Sequence, residues 1–170
     1  MEGVERYKVR LLPYNTEWKK EFLVVKKEIE DLWKDNVIDI QHFGSTAIEG
    51  IYAKPILDVA VVVKSFQEMN IEAIKNHGYS FCGLQAPDND RYLFVLRTDT
   101  QLSLRHIHCY EQGNEDYKKC MKFRDYLQSH LDKAKEYSEL KLTLSKLYTD
   151  DRIAYSKGKL EFIQSVIEYE

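Results

Sequence analysis

Residues that could bind a ligand or take part in a reaction are concentrated in one segment, HFGSTAIEGIYAKPILDVAVVV, which runs from His42 to Val63. Gly44 allows a tight turn, and the backbone N–H groups and hydroxyls of Ser45 and Thr46 can bind phosphate oxygens. The segment lacks the Gly-Lys-Ser/Thr ending of a Walker loop, and turns often use such hydroxyls only to bond local backbone. A phosphate-binding turn and an ordinary turn are therefore both open interpretations.

A single carboxylate, Asp58, lies inside the apolar run PILDVAVVV. A carboxylate in such a run is costly unless it is paired, binds a metal or reaches solvent. Metal ligand and general base are the functional interpretations, and an acid bonded to backbone N–H groups or to Lys54 is the structural one. Ala60 follows two residues later on the same face of a strand, so a paired-carboxylate metal site is incomplete here.

Two histidines, His106 and His108, alternate in the strand-like segment Leu102–Tyr110 and therefore project from one face. Two imidazoles on one face can bind a transition metal or serve as acid and base. One buried and one solvated histidine is the structural alternative. His42, next to the glycine turn, is a further candidate for the same group.

Seven basic residues are candidates for binding an anionic ligand: Lys54, Arg91, Arg97, Arg105, Arg124, Lys141 and Lys159. Lys54 follows the glycine turn, and Arg124, Lys141 and Lys159 lie on or beside apolar stripes of helical segments. The alternative is that their aliphatic stems cover apolar surface while the charges stay in solvent.

Hydrophobic periodicity predicts the elements that position these residues. Strands are predicted at Tyr7–Leu12, Val37–Phe43, Ile56–Val63, Tyr79–Cys82, Arg91–Arg97 and Leu102–Tyr110, with the last two forming a hairpin and residues 83–90 forming a loop. Helices are predicted from Asn15 or Thr16 to about Lys34, from a Ser65/Glu68 capping box to Gly78, and over Glu115–Ser129, Asp132–Tyr148 and Asp151–Tyr169.

Composition limits the class of protein. With 170 residues, 44% of them hydrophobic and 31% charged, the chain is expected to form one globular domain, sheet-rich over 1–111 and helical over 112–170. Apolar runs too short to span a bilayer, the absence of an N-terminal apolar stretch and three cysteines without CxxC spacing predict a cytoplasmic protein with no membrane partner. A net charge of −3 gives no strong signal for nucleic-acid binding.

Several ordered segments resemble the GrpB family: PYNTEWKKEF at 13–22, HFGSTAIEGIYAKPILDV at 42–59, HGYSFCG at 77–83, RHIHCY at 105–110, FRDYL at 123–127, YSELK at 137–141 and YSKGKLEFI at 155–163. The resemblance covers nearly the whole chain. Because that family is grouped with the nucleotidyltransferase superfamily, the resemblance implies an α/β (α+β) fold: a nucleotidyltransferase-like mixed β-sheet with flanking helices and a helical C-terminal half. Some members are fused to dephospho-CoA kinase, which implies a functional link to that enzyme through fusion only.

The resemblance also implies a site. In active members of the superfamily, the turn holds a triphosphate and three acids from two strands hold two magnesium ions. Here the Gly44 turn and Asp58 match the turn and the first acid, Ala60 stands at the second acid, and the strand with His106 and His108 stands at the third. The resemblance thus implies a nucleotide or phosphorylated ligand and Mg²⁺ or Mn²⁺ at Asp58 and His108, with no organic cofactor.

Three functions follow as hypotheses. The first is nucleotidyl transfer, with Asp58, His106 and His108 as catalytic groups and with phosphate held by Gly44, Ser45, Thr46, Lys54, Arg124, Lys141 and Lys159. The second is a non-catalytic ligand-binding module that has lost its acids. The third is a metal-assisted hydrolase that uses the histidines and Asp58.

Overall fold

Five strands form one mixed sheet within residues 1–85 and 90–168, the part of the chain that the computed structural model describes. The strands are β1 (Val37–Phe43), β2 (Leu57–Val63), β3 (Tyr79–Leu84), β4 (Arg91–Arg97) and β5 (Ser103–Glu111), in the order β1-β2-β5-β4-β3. The central pair β2 and β5 is parallel, and the other neighbours are antiparallel. The mixed sheet and the β4–β5 hairpin are as predicted.

The helices of the described residues are α1 (Glu17–Trp33), α2 (Ile71–Asn76), α3 (Glu115–Ser129), α4 (Leu131–Leu147), α5 (Arg152–Lys157) and α6 (Leu160–Glu168). None of them is both long and apolar enough to cross a membrane. Thr16 occupies the N-cap position of α1 without a side-chain hydrogen bond. The Asn15 side chain, one residue earlier, accepts a hydrogen bond of 2.9 Å from the Glu17 N–H.

Strand β2 is buried on both faces, which explains its almost entirely apolar sequence. Its odd-numbered residues, among them Val59 and Val61, join Val25 and Ile29 of α1 in the main core. On the opposite face, a second cluster links residues 48–51 after the glycine turn to α3 and α4. Because side chains alternate along a strand, Asp58 points away from the main core and toward this second layer.

Two local predictions near the strands are wrong. Residues 7–12 do not form a strand; Leu12 makes only an isolated bridge to Ala53. Ser65 caps a short 3₁₀ turn rather than the helix, and α2 begins at Ile71 under the side chain of Asn70.

The last predicted helix is also divided, into α5 and α6, by a turn at residues 158–159. In the loop predicted at 83–90, residues 83 and 84 belong to β3, and 86–89 lie outside the described residues, as does Tyr169.

Candidate functional site

The glycine turn touches the carboxylate of Asp58. Gly44 has φ +69° and ψ −172°, a combination that side chains strongly disfavour, and a short 3₁₀ turn follows over Ser45–Ala47. A Cβ placed on Gly44 would lie 2.8 Å from Asp58 Oδ2 and 3.2 Å from Asp58 Cβ. Glycine is therefore required here by both backbone conformation and space.

Sheet register brings the two histidines to the same carboxylate. The parallel pairing of β2 with β5 sets Asp58 beside His106 and Ala60 beside His108. His106 Nδ1 and His108 Nε2 each lie 3.3 Å from Asp58 Oδ1. Burial alone would raise the pKa of Asp58, but hydrogen bonds from the two imidazoles hold it well below its usual value. Asp58 is therefore ionised at neutral pH.

His108 is held as a neutral ring. Burial lowers its pKa more than the nearby Asp58 raises it. The Phe43 ring packs edge-on against it at a centroid distance of 5.1 Å. Among the described residues, its buried Nδ1 has no hydrogen-bond partner, so we place the ring proton on Nε2, where it is donated to Asp58.

A cleft of about 280 Å³ opens beside Asp58. Its side chains divide into a charged part and an apolar part. The charged part has four cations, Lys54, Lys119, Arg124 and Lys159, and Asp58 is the single acid among the described lining residues. The apolar part comprises Phe43, Ile48, Phe123, Tyr137, Tyr155, Ile163 and Ile167. This excess of positive charge in a concave apolar site suits an anionic ligand.

Two of these lysines share one aromatic ring. Lys54 Nζ and Lys159 Nζ lie 5.2 Å and 4.7 Å from the centroid of the Tyr155 ring. Burial lowers the pKa of Lys54 to about 7, with a further contribution from Arg152. Burial also lowers the pKa of Lys159 to about 8, although Asp58 opposes the change. A bound phosphate would therefore stabilise the charged form of both amines.

Arg124 is fixed to the end of β1. Its Nη1 donates to Gln41 Oε1 and to the His42 carbonyl, both at 2.9 Å. Asp39, which accepts a 2.5 Å hydrogen bond from the Tyr117 hydroxyl, orients Gln41 in turn. The guanidinium is thus held at the rim of the cleft, next to the glycine turn.

Lys141 does not occupy the position predicted for it. Its side chain is 1% exposed, its ammonium donates to the Tyr52 carbonyl, and its Nζ lies 4.7 Å from the Tyr137 ring centroid. The Tyr52 N–H donates in turn to the Ser138 hydroxyl at 2.9 Å. We therefore replace the direct phosphate contact predicted for Lys141 with a role in anchoring the loop between β1 and β2.

His42 also lies outside the Asp58 group. It points to the opposite face of the sheet, where its ring stacks on Phe22 of α1 at 5.2 Å. Its Nε2 lies 3.0 Å from the hydroxyl of Thr46, and burial lowers the pKa of His42 to about 4. His42 is thus a neutral support for the turn, and its proposed membership of a histidine cluster is corrected.

Sequence reasoning missed several members of the cleft, among them Lys119, Phe123 and Tyr155. Lys119 and Phe123 come from α3 and Tyr155 from α5. One signal was available: Lys119 and Phe123 are four residues apart, so they share a helix face. No sequence signal placed Tyr155 between two lysines.

Comparison with known proteins finds similarity to one protein family. The chain matches the family model described as "GrpB protein" over residues 8–169. It is 35% identical over 172 residues to the glutamate-rich protein GrpB of Alkalihalophilus pseudofirmus, covering 98% of each chain. It is 34% identical over 163 residues to the UPF0157 protein YqkA of Bacillus subtilis, covering 95% of this chain and 47% of YqkA.

Solved structures show the same fold. The conserved protein GrpB from Enterococcus faecalis superposes with a TM-score of 0.85 at 24% identity, covering 94% of this chain and 96% of that one. The Cid1 poly(U) polymerase, in a MgGTP-bound crystal structure, superposes with a TM-score of 0.54 at 14% identity, covering 79% of this chain and 43% of that one. The fold is therefore nucleotidyltransferase-like, as the sequence resemblance implied.

Proposed function

We propose that this chain, which belongs to the GrpB family, binds a phosphorylated ligand with a flat apolar group, such as a nucleotide, in the cleft beside Asp58. One observation carries the proposal: four cations and one carboxylate share a cleft with an aromatic wall. The likeness to a fold used by a nucleotide polymerase supports it.

The phosphate end of the ligand is assigned to the cationic part of the cleft. Lys54 and Lys159 supply charge, and both are deficient in anionic partners. The glycine turn lies alongside these lysines. The N–H groups of Ala47 and Ile48 donate to carbonyls within the turn, whereas the N–H groups of Ser45 and Thr46 have no acceptor within it. Together these groups provide localised charge and directed donors for phosphate oxygens.

The apolar end of the ligand is assigned to the aromatic wall. Phe123 and Tyr137 contact each other edge to face at 5.3 Å, and Tyr155 extends this surface toward the lysines. A purine or pyrimidine has flat faces that stack on such rings without requiring a specific hydrogen-bond pattern. A ligand that carries both a base and phosphates would therefore use both parts of the cleft.

The donor groups do not fit the two-magnesium arrangement implied by the superfamily. That arrangement needs carboxylates where this chain has Ala60 and His106, and the Asp58 carboxylate already faces two imidazoles. We therefore propose ligand binding and derive no two-metal nucleotidyl transfer.

A second candidate function, metal-assisted hydrolysis of a phosphoester, is favoured by the same three side chains. One carboxylate and two imidazoles are donors that leave coordination positions open for water. Release of inorganic phosphate or pyrophosphate from nucleotides in the presence of divalent metals would support this candidate, and intact nucleotides after prolonged incubation would exclude it.

The binding proposal is tested by calorimetry with ATP, GTP, CTP and UTP, with pyrophosphate and with adenosine. Nucleotides are expected to bind more tightly than either fragment because they occupy both parts of the cleft. Lys54→Met and Lys159→Met are each expected to weaken nucleotide binding about 10-fold or more, since each removes a buried charge opposite phosphate.

Lys135→Met is the matched control, because Lys135 is an exposed lysine on α4 and lies outside the cleft. Its affinity should equal that of the unaltered protein. An absence of heat and of thermal stabilisation with every phosphorylated compound would overturn the proposal, as would equal losses in all three variants.

A further inference from the structure

We infer that Asp58, His106 and His108 form a binding site for one transition-metal ion, of the Zn²⁺, Mn²⁺ or Co²⁺ kind, and that this site selects against Mg²⁺. One ligand atom from each residue lies within 4.8 Å of the other two. The site goes beyond the proposed binding function and does not depend on it, since metal alone suffices to test it.

The distances within the cluster match a coordination shell. The two nitrogens each lie 3.3 Å from Asp58 Oδ1. Charge-assisted hydrogen bonds are usually shorter, about 2.7–2.9 Å. A tetrahedral ion with metal–ligand bonds of about 2.0–2.1 Å places neighbouring ligand atoms roughly 3.4 Å apart. Two of the three distances between ligand atoms therefore match a tetrahedral shell, and the third, between the two histidine nitrogens, is within 4.8 Å.

The donor types decide which ion fits. Magnesium prefers an octahedron of oxygen ligands, usually carboxylates, waters and phosphates. Imidazole nitrogens with one carboxylate suit zinc, manganese, iron or cobalt instead. Because Ala60 contributes no oxygen beside His108, the strand pair supplies two nitrogen ligands and one carboxylate to the cluster.

The scaffold holds these ligands rigidly. Asp58 and His106 are direct partners in the parallel pair at the centre of the sheet, and Phe43 packs on the His108 ring. Gly44 lies against Asp58 Oδ2, which leaves Oδ1 to face the imidazoles. Ligands that are fixed before binding lose little conformational entropy when the ion enters.

The surroundings of His108 limit the affinity of the cluster for a metal ion. When His108 Nε2 binds an ion, the ring proton moves to Nδ1, which is buried and without a hydrogen-bond partner among the described residues. Metal-binding histidines usually donate that proton to a second group, and its loss weakens metal affinity about 10–100-fold. The ion is therefore expected to be removable by a chelator, unlike the ion of a structural zinc site.

The first test uses tag-free full-length protein stripped with a chelator and titrated with Zn²⁺, Co²⁺, Mn²⁺ and Mg²⁺ alone. Calorimetry and thermal shift are expected to show at least one transition metal binding about 10-fold or more tightly than Mg²⁺. Co²⁺ should also develop visible absorption bands of a low-coordinate nitrogen and oxygen site. Equal or tighter binding of Mg²⁺, or no binding of any metal, would overturn the inference.

The second test assigns the ligands. Both His106→Gln and His108→Gln are expected to weaken transition-metal binding about 10-fold or more and to alter the Co²⁺ spectrum. The control is His77→Gln, because His77 is half exposed, pairs with Glu28 at 2.9 Å and lies outside the cleft. Metal affinity unchanged in both ligand variants would assign the ion to other residues and reject the site. Since the Co²⁺ spectrum of the unaltered protein also reports coordination, a misfolded variant does not remove the test.

Discussion

Replacing Gly44 by alanine is expected to lower the free energy of unfolding by about 2–5 kcal/mol, from a strained backbone and a steric overlap. The backbone angles at this position, φ +69° and ψ −172°, belong to a region used almost solely by glycine. The added methyl would lie 2.8 Å from Asp58 Oδ2, so the carboxylate must also move. Because Asp58 and the turn both border the cleft, ligand affinity should fall with stability. Urea unfolding and nucleotide calorimetry measure the two effects.

Gly50→Ala separates the effect of backbone strain on stability from the effect of steric overlap with Asp58. Gly50 also has a positive φ, +76°, but a Cβ there would meet nothing within 4 Å. Gly50→Ala should therefore lose less stability than Gly44→Ala and leave ligand affinity unchanged. A double-mutant cycle with Asp58→Ala should show coupling at position 44 and none at position 50. Equal losses in the two glycine variants, without coupling, would mean that the contact with Asp58 has no energetic importance.

The sheet could be predicted because its signals are local. Strand β2 is a short, almost uninterrupted apolar run, and β4 and β5 are β-rich segments on either side of a short polar turn. The strand order is not local information. It places Asp58 beside His106 across 48 positions of sequence, and only the family resemblance implied that the two strands meet.

The local errors have physical causes. Ser65 and Glu68 have the spacing of a capping box, but Ser65 bonds the Gln67 N–H in a 3₁₀ turn, and Asn70 caps the following helix instead. At the break between α5 and α6, Gly158 packs closely on α4, since a Cβ there would lie 2.6 Å from Leu144 Cδ2. Neither the cap at Asn70 nor the packing at Gly158 can be recognised from hydrophobic periodicity.

The sequence leaves the position of a candidate side chain open where burial, rather than residue type, decides it. Lys141 lies on an apolar stripe, which is equally compatible with an exposed and a buried ammonium; its bond to the Tyr52 carbonyl resolves the choice. His42 is assigned by parity once the register of β1 and β2 is known. Phe43 pairs with Asp58 across the sheet, so the preceding residue must point to the other face.

Ligand affinity is expected to fall as pH rises from about 7 to 9, because the two cleft lysines lose protons in the free protein over that range. Burial lowers the pKa of Lys54 to about 7 and that of Lys159 to about 8. The other charged groups near them are Arg152, which lowers both values, and Asp58, which raises both. Bound phosphate favours the charged amines and raises their pKa, so binding within this range takes up protons.

Stability of the ligand-free protein should change in the opposite direction. Both lysines have a lower pKa in the folded chain than the value of about 10.4 for an unfolded one. Between these values the unfolded chain binds more protons, so the free energy of unfolding increases with pH. Below about pH 7 both states carry the charges, and the cost of burying them is present in full. Rising pH should thus stabilise the free protein between about 7 and 9 while it weakens ligand binding.

The slopes of ligand affinity and of unfolding free energy against pH are measured by calorimetry and by urea unfolding, respectively, at pH 7, 8 and 9. Calorimetry in buffers of different ionisation enthalpy gives the proton uptake on binding. Lys54→Met should reduce both slopes, and combining it with Lys159→Met should reduce both further. Lys135→Met should leave both as they are, since that lysine is exposed on α4. An affinity that is constant from pH 7 to 9, or that falls equally in the double variant, would show that other groups hold the phosphate. Burial also lowers the pKa of Lys141 and raises the pKa of Cys109 and Cys120, so these groups add to the pH dependence of stability. The change of slope between the unaltered protein and the double variant therefore reports on the two cleft lysines.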